Sequence, residues 1–322
     1  MSAILIEQRV KEPKEMRNVY CETLMELAEG NKKIVALDAD LMNSMGMTKF
    51  AKAYPERTFN VGIQEANMIG VAAGLSATGK IPFAHSFGPF ATRRCFDQLF
   101  LSCGYAKLNV RVVGSDPGVT AAFNGGTHMP FEDMGIVRNI PGITILEPVD
   151  STMLANLLKQ TADLYGVFYI RLLRKNAIKI YQDGSTFEIG KGITLKDGHD
   201  VTIIASGIMV DDALTAAEEL EKQGISVRVV NMFTLKPIDK ELITQCADET
   251  GAIVTVENHS IINGFGSAVA EVIVENSSVP MERVGVNDAF GEVGPQDYLK
   301  QRFGLTTENI MAKVHKVLAR KG

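Results

Sequence analysis

The sequence predicts an α/β protein of two domains, each a mostly parallel sheet with helices on both faces. Three observations predict it. Short runs dominated by apolar residues, such as Ile34–Leu37 and Val110–Val113, alternate with stretches of helical periodicity. Strands that are apolar throughout belong to parallel sheets covered on both sides. The alternation occurs twice, and a polar stretch from Lys175 to Gly198 separates the two series. At 322 residues the chain is also long enough to favour two cores over one. The expected division is a first domain over 1–185 and a second over 186–322.

The elements follow in order. Met16, Tyr20, Leu24 and Leu27 recur at helical spacing. Ile34–Leu37 is a strand ending at Asp38. Asn67–Thr78 reads as a helix in which Gly70 and Gly74 allow close packing. Val110–Val113 and Ile143–Leu146 are strands closed by Gly114 and by Glu147-Pro148. Asp150 is placed to cap a helix carrying Met153, Leu154, Leu157 and Leu158. Val167–Ile170 completes the first series. Asp183-Gly184-Ser185 marks a turn in the polar break. The second series comprises Val201–Ala205, a helix near 211–222, Val227–Val230, a helix near 239–248 and Ala252–Val256. A terminal helix near 308–319 puts Ile310, Val314, Val317 and Leu318 on one face.

Composition narrows the function. The chain is 46% hydrophobic with a net charge of −5, unlike the basic surface of a nucleic-acid binder. No apolar run reaches the length of a membrane span. The segment Met1–Pro13 lacks the plan of a secretory signal. Cys21, Cys95, Cys103 and Cys246 form no CxxC pair and read as free thiols in a reducing compartment. The expectation is a cytoplasmic protein that binds neither membrane nor nucleic acid.

Ligands of α/β sheets bind beyond the carboxyl ends of the strands, and four polar clusters fall there. They are Asp38-Ala39-Asp40, Gly62-Ile63-Gln64-Glu65, His85-Ser86-Phe87-Gly88-Pro89-Phe90, and Asn124-Gly125-Gly126-Thr127-His128. Each has an ordinary alternative. A glutamate opening a helix complements the helix dipole, paired phenylalanines fill cores, and a lone histidine is often structural. The sequence has no P-loop and no GxSxG elbow. It has no HExxH or Cys/His cluster, so no metal site is expected within it. Gly264-Phe265-Gly266 falls short of a dinucleotide fingerprint.

Taken in order, the clusters resemble the C-terminal two-thirds of transketolases, from about Arg17 onward. The run Thr58-Phe59-Asn60-Val61-Gly62-Ile63-Gln64-Glu65-Ala66-Asn67-Met68 is similar to the family's glutamate segment. Phe87 and Phe90, then Cys95-Phe96-Asp97-Gln98, resemble its aromatic pair and following helix. Gly126-Thr127-His128 and Val256-Glu257-Asn258-His259, then Gly264-Phe265-Gly266-Ser267-Ala268-Val269, complete the pattern. The resemblance implies a pyrimidine-binding domain followed by a C-terminal domain. It implies thiamine diphosphate as cofactor, with magnesium or calcium held by a partner. The family's G-D-G…N motif has no counterpart here, because Asp197-Gly198 follows a lysine within the break. An N-terminal transketolase subunit is therefore the expected partner, in an α2β2 assembly acting on sugar phosphates.

The resemblance also assigns roles. Glu65 aligns with the glutamate that hydrogen-bonds the aminopyrimidine, a role suited to a buried acid of raised pKa. Phe87 and Phe90 wall that ring, and Asp40 lies near the cofactor. His128 contacts the donor sugar, and Asn124 lies where an aspartate usually reads a sugar hydroxyl. Arg17, Ser44 and Arg174 fall where the family grips the acceptor phosphate; for the arginines, ordinary ion pairs are the alternative. Asp116 stands where many members carry a phosphate-binding histidine. Two-carbon ketol transfer is the implied reaction. The alternatives are the beta subunit of a 2-oxoacid dehydrogenase first component, a deoxyxylulose-phosphate-synthase-like carboligase, and a non-catalytic scaffold.

Overall fold

The computed structural model describes residues 2–321. Twelve strands occur in chain order: β1 (Ile34–Asp38), β2 (Thr58–Asn60), β3 (Ile81–Phe87), β4 (Val110–Ser115), β5 (Thr144–Leu146), β6 (Val167–Leu172), β7 (Ile193–Lys196), β8 (Val201–Ala205), β9 (Val227–Asn231), β10 (Thr234–Lys236), β11 (Ile253–Ser260) and β12 (Met281–Val286). They form two sheets, ordered β10-β5-β6-β4-β3-β1-β2 and β12-β11-β8-β9-β7. Only β10 and β7, each at a sheet edge, pair antiparallel. Every residue of β1, β3, β4, β6 and β8 is buried. Helices on both faces account for that, and for the apolar runs that encode these strands.

The helices sit where periodicity places them. Met16–Gly30 buries Met16, Tyr20 and Leu24 and packs against Ser151–Asp163. Asp150 caps the latter, accepting the Met153 amide at 2.9 Å through one carboxylate oxygen. Its other oxygen accepts the Ile180 and Tyr181 amides at 2.9 and 2.8 Å. One buried aspartate thus starts a helix and anchors the polar break. Thr306 caps the last helix, Thr307–Leu318, which buries Ile310, Val314 and Val317. No helix among the described residues is long and apolar enough to cross a membrane.

Two features depart from the alternation read in the sequence. The polar break contains β7, the antiparallel edge of the second sheet. Strand β10 leaves the second sheet's sequence series and joins the first sheet beside β5. Lys236 fastens it by donating to the Arg138 and Ile140 carbonyls, both at 2.7 Å. Strands of three and four residues pair through backbone contacts made far along the chain, so their own side chains carry little periodic signal.

A buried polar network joins the two domains. Arg171, fully buried on β6, donates to Asp133 at 2.8 Å, to Glu147 at 2.6 Å, and to the Pro130 and Asn258 carbonyls at 3.1 and 2.9 Å. Burial opposes its charge, but Asp133 and Glu147 outweigh that and hold the guanidinium above its ordinary pKa. Ser206 reaches Glu147 from the second domain at 2.6 Å. Asn258 clamps the loop after β4: its amide accepts the Val119 N–H at 2.9 Å and donates to the Pro117 carbonyl at 2.8 Å. Gly118 threads this clamp at φ +48°, and a β-carbon there would lie 2.1 Å from Asn258 Oδ1. Gly118→Ala should therefore combine left-handed strain with a clash, costing about 2–4 kcal/mol. Thermal denaturation of the purified variant tests this; an unchanged midpoint would contradict it.

His259 is buried in the same network, and burial lowers its pKa from 6.5 to about 4. Above pH 6.5 the imidazole is neutral folded and unfolded, and it adds no pH dependence. Below 6.5 only the unfolded chain takes the proton, so stability falls toward pH 4. Relative to His259→Gln, wild-type stability should decline over that window by at most about 1.4 kcal/mol per pH unit. Denaturant titrations of both proteins at pH 5 and 7 measure the difference. Parallel pH profiles would refute a buried neutral His259.

Candidate active site

The parallel pairing of β2, β1, β3 and β4 brings their carboxyl ends to one edge of the first sheet. Glu65 opens the helix Glu65–Ala77, directly after the positive-φ turn at Gly62. Its side chain is 1% exposed. One carboxylate oxygen accepts from Ser86 Oγ at 3.2 Å, and the other meets Arg94 Nη1 at 2.8 Å. Ser86 lies on β3, so the strand that presents Phe87 also supports the acid.

Three rings pack together at the carboxyl end of β3. Phe87 and Phe90 have centroids 6.1 Å apart, and His128 lies 5.5 Å from Phe87 and 5.0 Å from Phe90, edge-on to each. The loop carrying His128 is held by close backbone approach. A β-carbon on Gly126 would meet the Gly291 carbonyl at 2.2 Å, so the second domain shapes this turn. His128 Nδ1 lies 2.8 Å from Thr127 Oγ1. Its pKa is lowered, first by burial, with Asp116 acting against and Arg94 with that shift. It therefore enters the cleft as a neutral imidazole near pH 7.

Arg94 completes the group. Its guanidinium lies 3.8 Å over the Phe90 ring while pairing with Glu65. The sequence reading quoted its neighbours but passed over this residue. The available signal was spacing: Arg94 follows Phe90 by four positions.

The remaining expected residues divide. Arg174 lies 5.2 Å from the Phe87 centroid, and its Nε donates to Asp116 at 3.0 Å. Asp116 is buried at φ +59° and also accepts from Ser115 Oγ at 2.9 Å. Burial raises its pKa, with Arg174 acting against that. The carboxylate in the place of a phosphate-binding histidine is thus spent on an internal ion pair. Arg17 and Ser44 do meet, but through the Ser44 carbonyl, which accepts from Arg17 Nη1 at 2.9 Å. Arg17 also pairs with Glu15 at 2.6 Å. Both arginines expected to grip an anion thus hold carboxylate partners in this chain. Asp40 stands at the exposed end of β1 at φ +64°, its amide donating to Asn60 Oδ1 at 3.1 Å. Asn60 also accepts the Gly62 amide at 3.0 Å, tying Asp40 to the turn before Glu65. Asn124 is exposed at the end of the turn Gly118–Asn124.

Comparison with known proteins fits this arrangement. The family model for the transketolase pyrimidine-binding domain matches residues 12–179, and that for the transketolase C-terminal domain matches 190–310. The chain belongs to the transketolase family.

Relatives of like length include a transketolase subunit, a transketolase C-terminal section and a split-gene transketolase. The chain is 54% identical to the 6-deoxy-6-sulfo-D-fructose transketolase subunit SqwH of Clostridium sp. (strain MSTE9), covering 95% of each. It is 45% identical to a putative transketolase C-terminal section of Methanocaldococcus jannaschii, covering 94% of this chain and 95% of that one. A solved split-gene transketolase, an inactive β4 tetramer, superposes with a TM-score of 0.89 at 45% identity, covering 96% of this chain and 99% of the other. Rat transketolase is 35% identical, yet this chain spans only 49% of its length. This transketolase chain therefore corresponds to the later half of the single-chain enzymes. Its members' dependence on thiamine diphosphate gives the cleft around Glu65 its context.

Proposed function

We propose that this chain is the C-terminal subunit of a two-chain transketolase, active only with a partner that holds the diphosphate and its magnesium or calcium ion. The observation carrying the reading is the buried Glu65 carboxylate, joined through Arg94 to the Phe90 ring on which Phe87 and His128 pack. The seat fits an aminopyrimidine: it already receives a flat, nitrogen-rich group that donates to Glu65 and stacks on Phe90. Glu65 would hold and share a proton with the ring, Phe90 and Phe87 would hold its faces and exclude water, and Asp40 would lie near it. When bound, thiamine diphosphate supplies the nucleophilic carbon that carries a two-carbon ketol unit between sugars. His128, neutral at pH 7, would hydrogen-bond the donor near its carbonyl. Arg174, Arg17 and Ser44 would meet the anionic end of the sugar, with Asn124 near its hydroxyls.

The ion pair between Asp116 and Arg174 bears on the substrate. A guanidinium already half-neutralised suits a singly charged sulfonate better than a doubly charged phosphate. The relative named for 6-deoxy-6-sulfo-D-fructose is consistent with that preference. The partner and chain should be mixed with thiamine diphosphate and magnesium, then offered 6-deoxy-6-sulfo-D-fructose and xylulose 5-phosphate as donors with an aldose phosphate acceptor. Two-carbon transfer from either supports the proposal. Decarboxylation of a 2-oxoacid in place of sugar transfer would overturn it. His128→Ala should raise the donor KM by about tenfold or more while thiamine diphosphate affinity stays within about twofold. An unchanged donor KM would remove His128 from the donor site.

A further inference from the structure

We propose that Arg94 is a built-in placeholder for the aminopyrimidine ring, holding Glu65 and Phe90 until the cofactor enters and then swinging out. This rests on the reading of Glu65 and Phe90 as the pyrimidine seat. Two independent contacts carry it. Arg94 Nη1 donates to Glu65 at 2.8 Å, and the same guanidinium lies 3.8 Å over the Phe90 ring. An aminopyrimidine held by these residues makes the same two contacts, an N–H to the carboxylate and a flat face on the aromatic ring. A guanidinium is the side chain best able to imitate it, being planar, delocalised and rich in N–H groups. Both groups cannot use one face of Phe90 and one carboxylate oxygen together.

The placeholder has a physical purpose. Glu65 is 1% exposed, and an unpaired carboxylate there is costly. Arg94 is itself 43% exposed and, among the described residues, makes this one side-chain hydrogen bond. It satisfies the acid from the solvent side and leaves by rotating into water. A fixed internal arginine such as Arg171, with four partners, has no such freedom. Cofactor binding therefore proceeds against a competitor present at every site. The apparent affinity is reduced by the fraction of sites with the seat open.

The test is thiamine diphosphate binding, measured by titration calorimetry on the assembled two-chain enzyme with magnesium. Arg94→Ala and Arg94→Gln should each bind the cofactor about tenfold more tightly than wild type, the gain expected if the seat is open about one-tenth of the time. Thermal midpoints without cofactor should fall in both variants, because Glu65 loses its partner, and the rise on adding cofactor should be larger than in wild type. Unchanged or weaker binding in both variants overturns the placeholder while leaving the seat in place. A wild-type assembly that binds no thiamine diphosphate removes the seat itself, and the placeholder with it.

Discussion

Replacing Glu65 by alanine is expected to lower kcat of the assembled enzyme by about 10²–10⁴-fold, the usual contribution of a positioned acid–base group. The residue is buried at the start of a helix, and its carboxylate holds Arg94, whose guanidinium lies over the Phe90 ring. Among the described residues its side chain hydrogen-bonds only Ser86 and Arg94. Assembly with the partner should therefore persist, as size-exclusion chromatography of the mixed subunits would show. Glu65→Gln is the sharper probe, because it keeps size and hydrogen bonding but holds no transferable proton. Turnover by Glu65→Gln within a few-fold of wild type would end the acid–base role. Loss of assembly in both variants would instead make Glu65 structural.

The largest effect on stability is expected at Arg171. Arg171→Met removes a fully buried cation and leaves Asp133 and Glu147 unpaired in the same interior. Breaking one side of such a network costs about 3–5 kcal/mol, because the orphaned carboxylates keep their desolvation penalty. The two domains should lose their cooperative link, since Arg171 also holds the Asn258 carbonyl of the second domain. Chemical denaturation followed by circular dichroism measures the loss. A triple variant, Arg171→Met with Asp133→Asn and Glu147→Gln, should recover much of it. If the single variant unfolds at the wild-type midpoint, the network adds nothing to the domain junction.

Much of this was legible before any coordinates. The runs Ile34–Leu37, Val110–Val113, Val201–Ala205 and Ala252–Val256 name interior strands because burial on both faces favours apolar side chains at most positions, Arg111, Thr202 and Thr255 being the polar exceptions. Asp150 announced its helix because an N-cap is a local bond across three residues. Glu65, Phe87, Phe90 and His128 were named from a resemblance to transketolases; in the fold His128 packs on both phenylalanines, and Glu65 meets Phe90 through Arg94. Strands β2, β3, β7, β10 and β12 were not read as strands: β2, β7 and β10 are short and paired by distant partners, and β3 ends in His85-Ser86-Phe87, which reads as part of a polar cluster.

What the chain's sequence determined alone is its local grammar: which segments are strands and helices, where caps fall, and which polar clusters close the strands. Periodicity and capping act over a few residues, so they are written where they operate. Only the tertiary structure decided which charges meet. Arg94 on Glu65, Arg174 on Asp116 and Arg171 between two carboxylates join residues 24 to 58 positions apart. Opposite charges attract whatever their spacing along the chain, and burial rather than sequence distance selects the partner that remains.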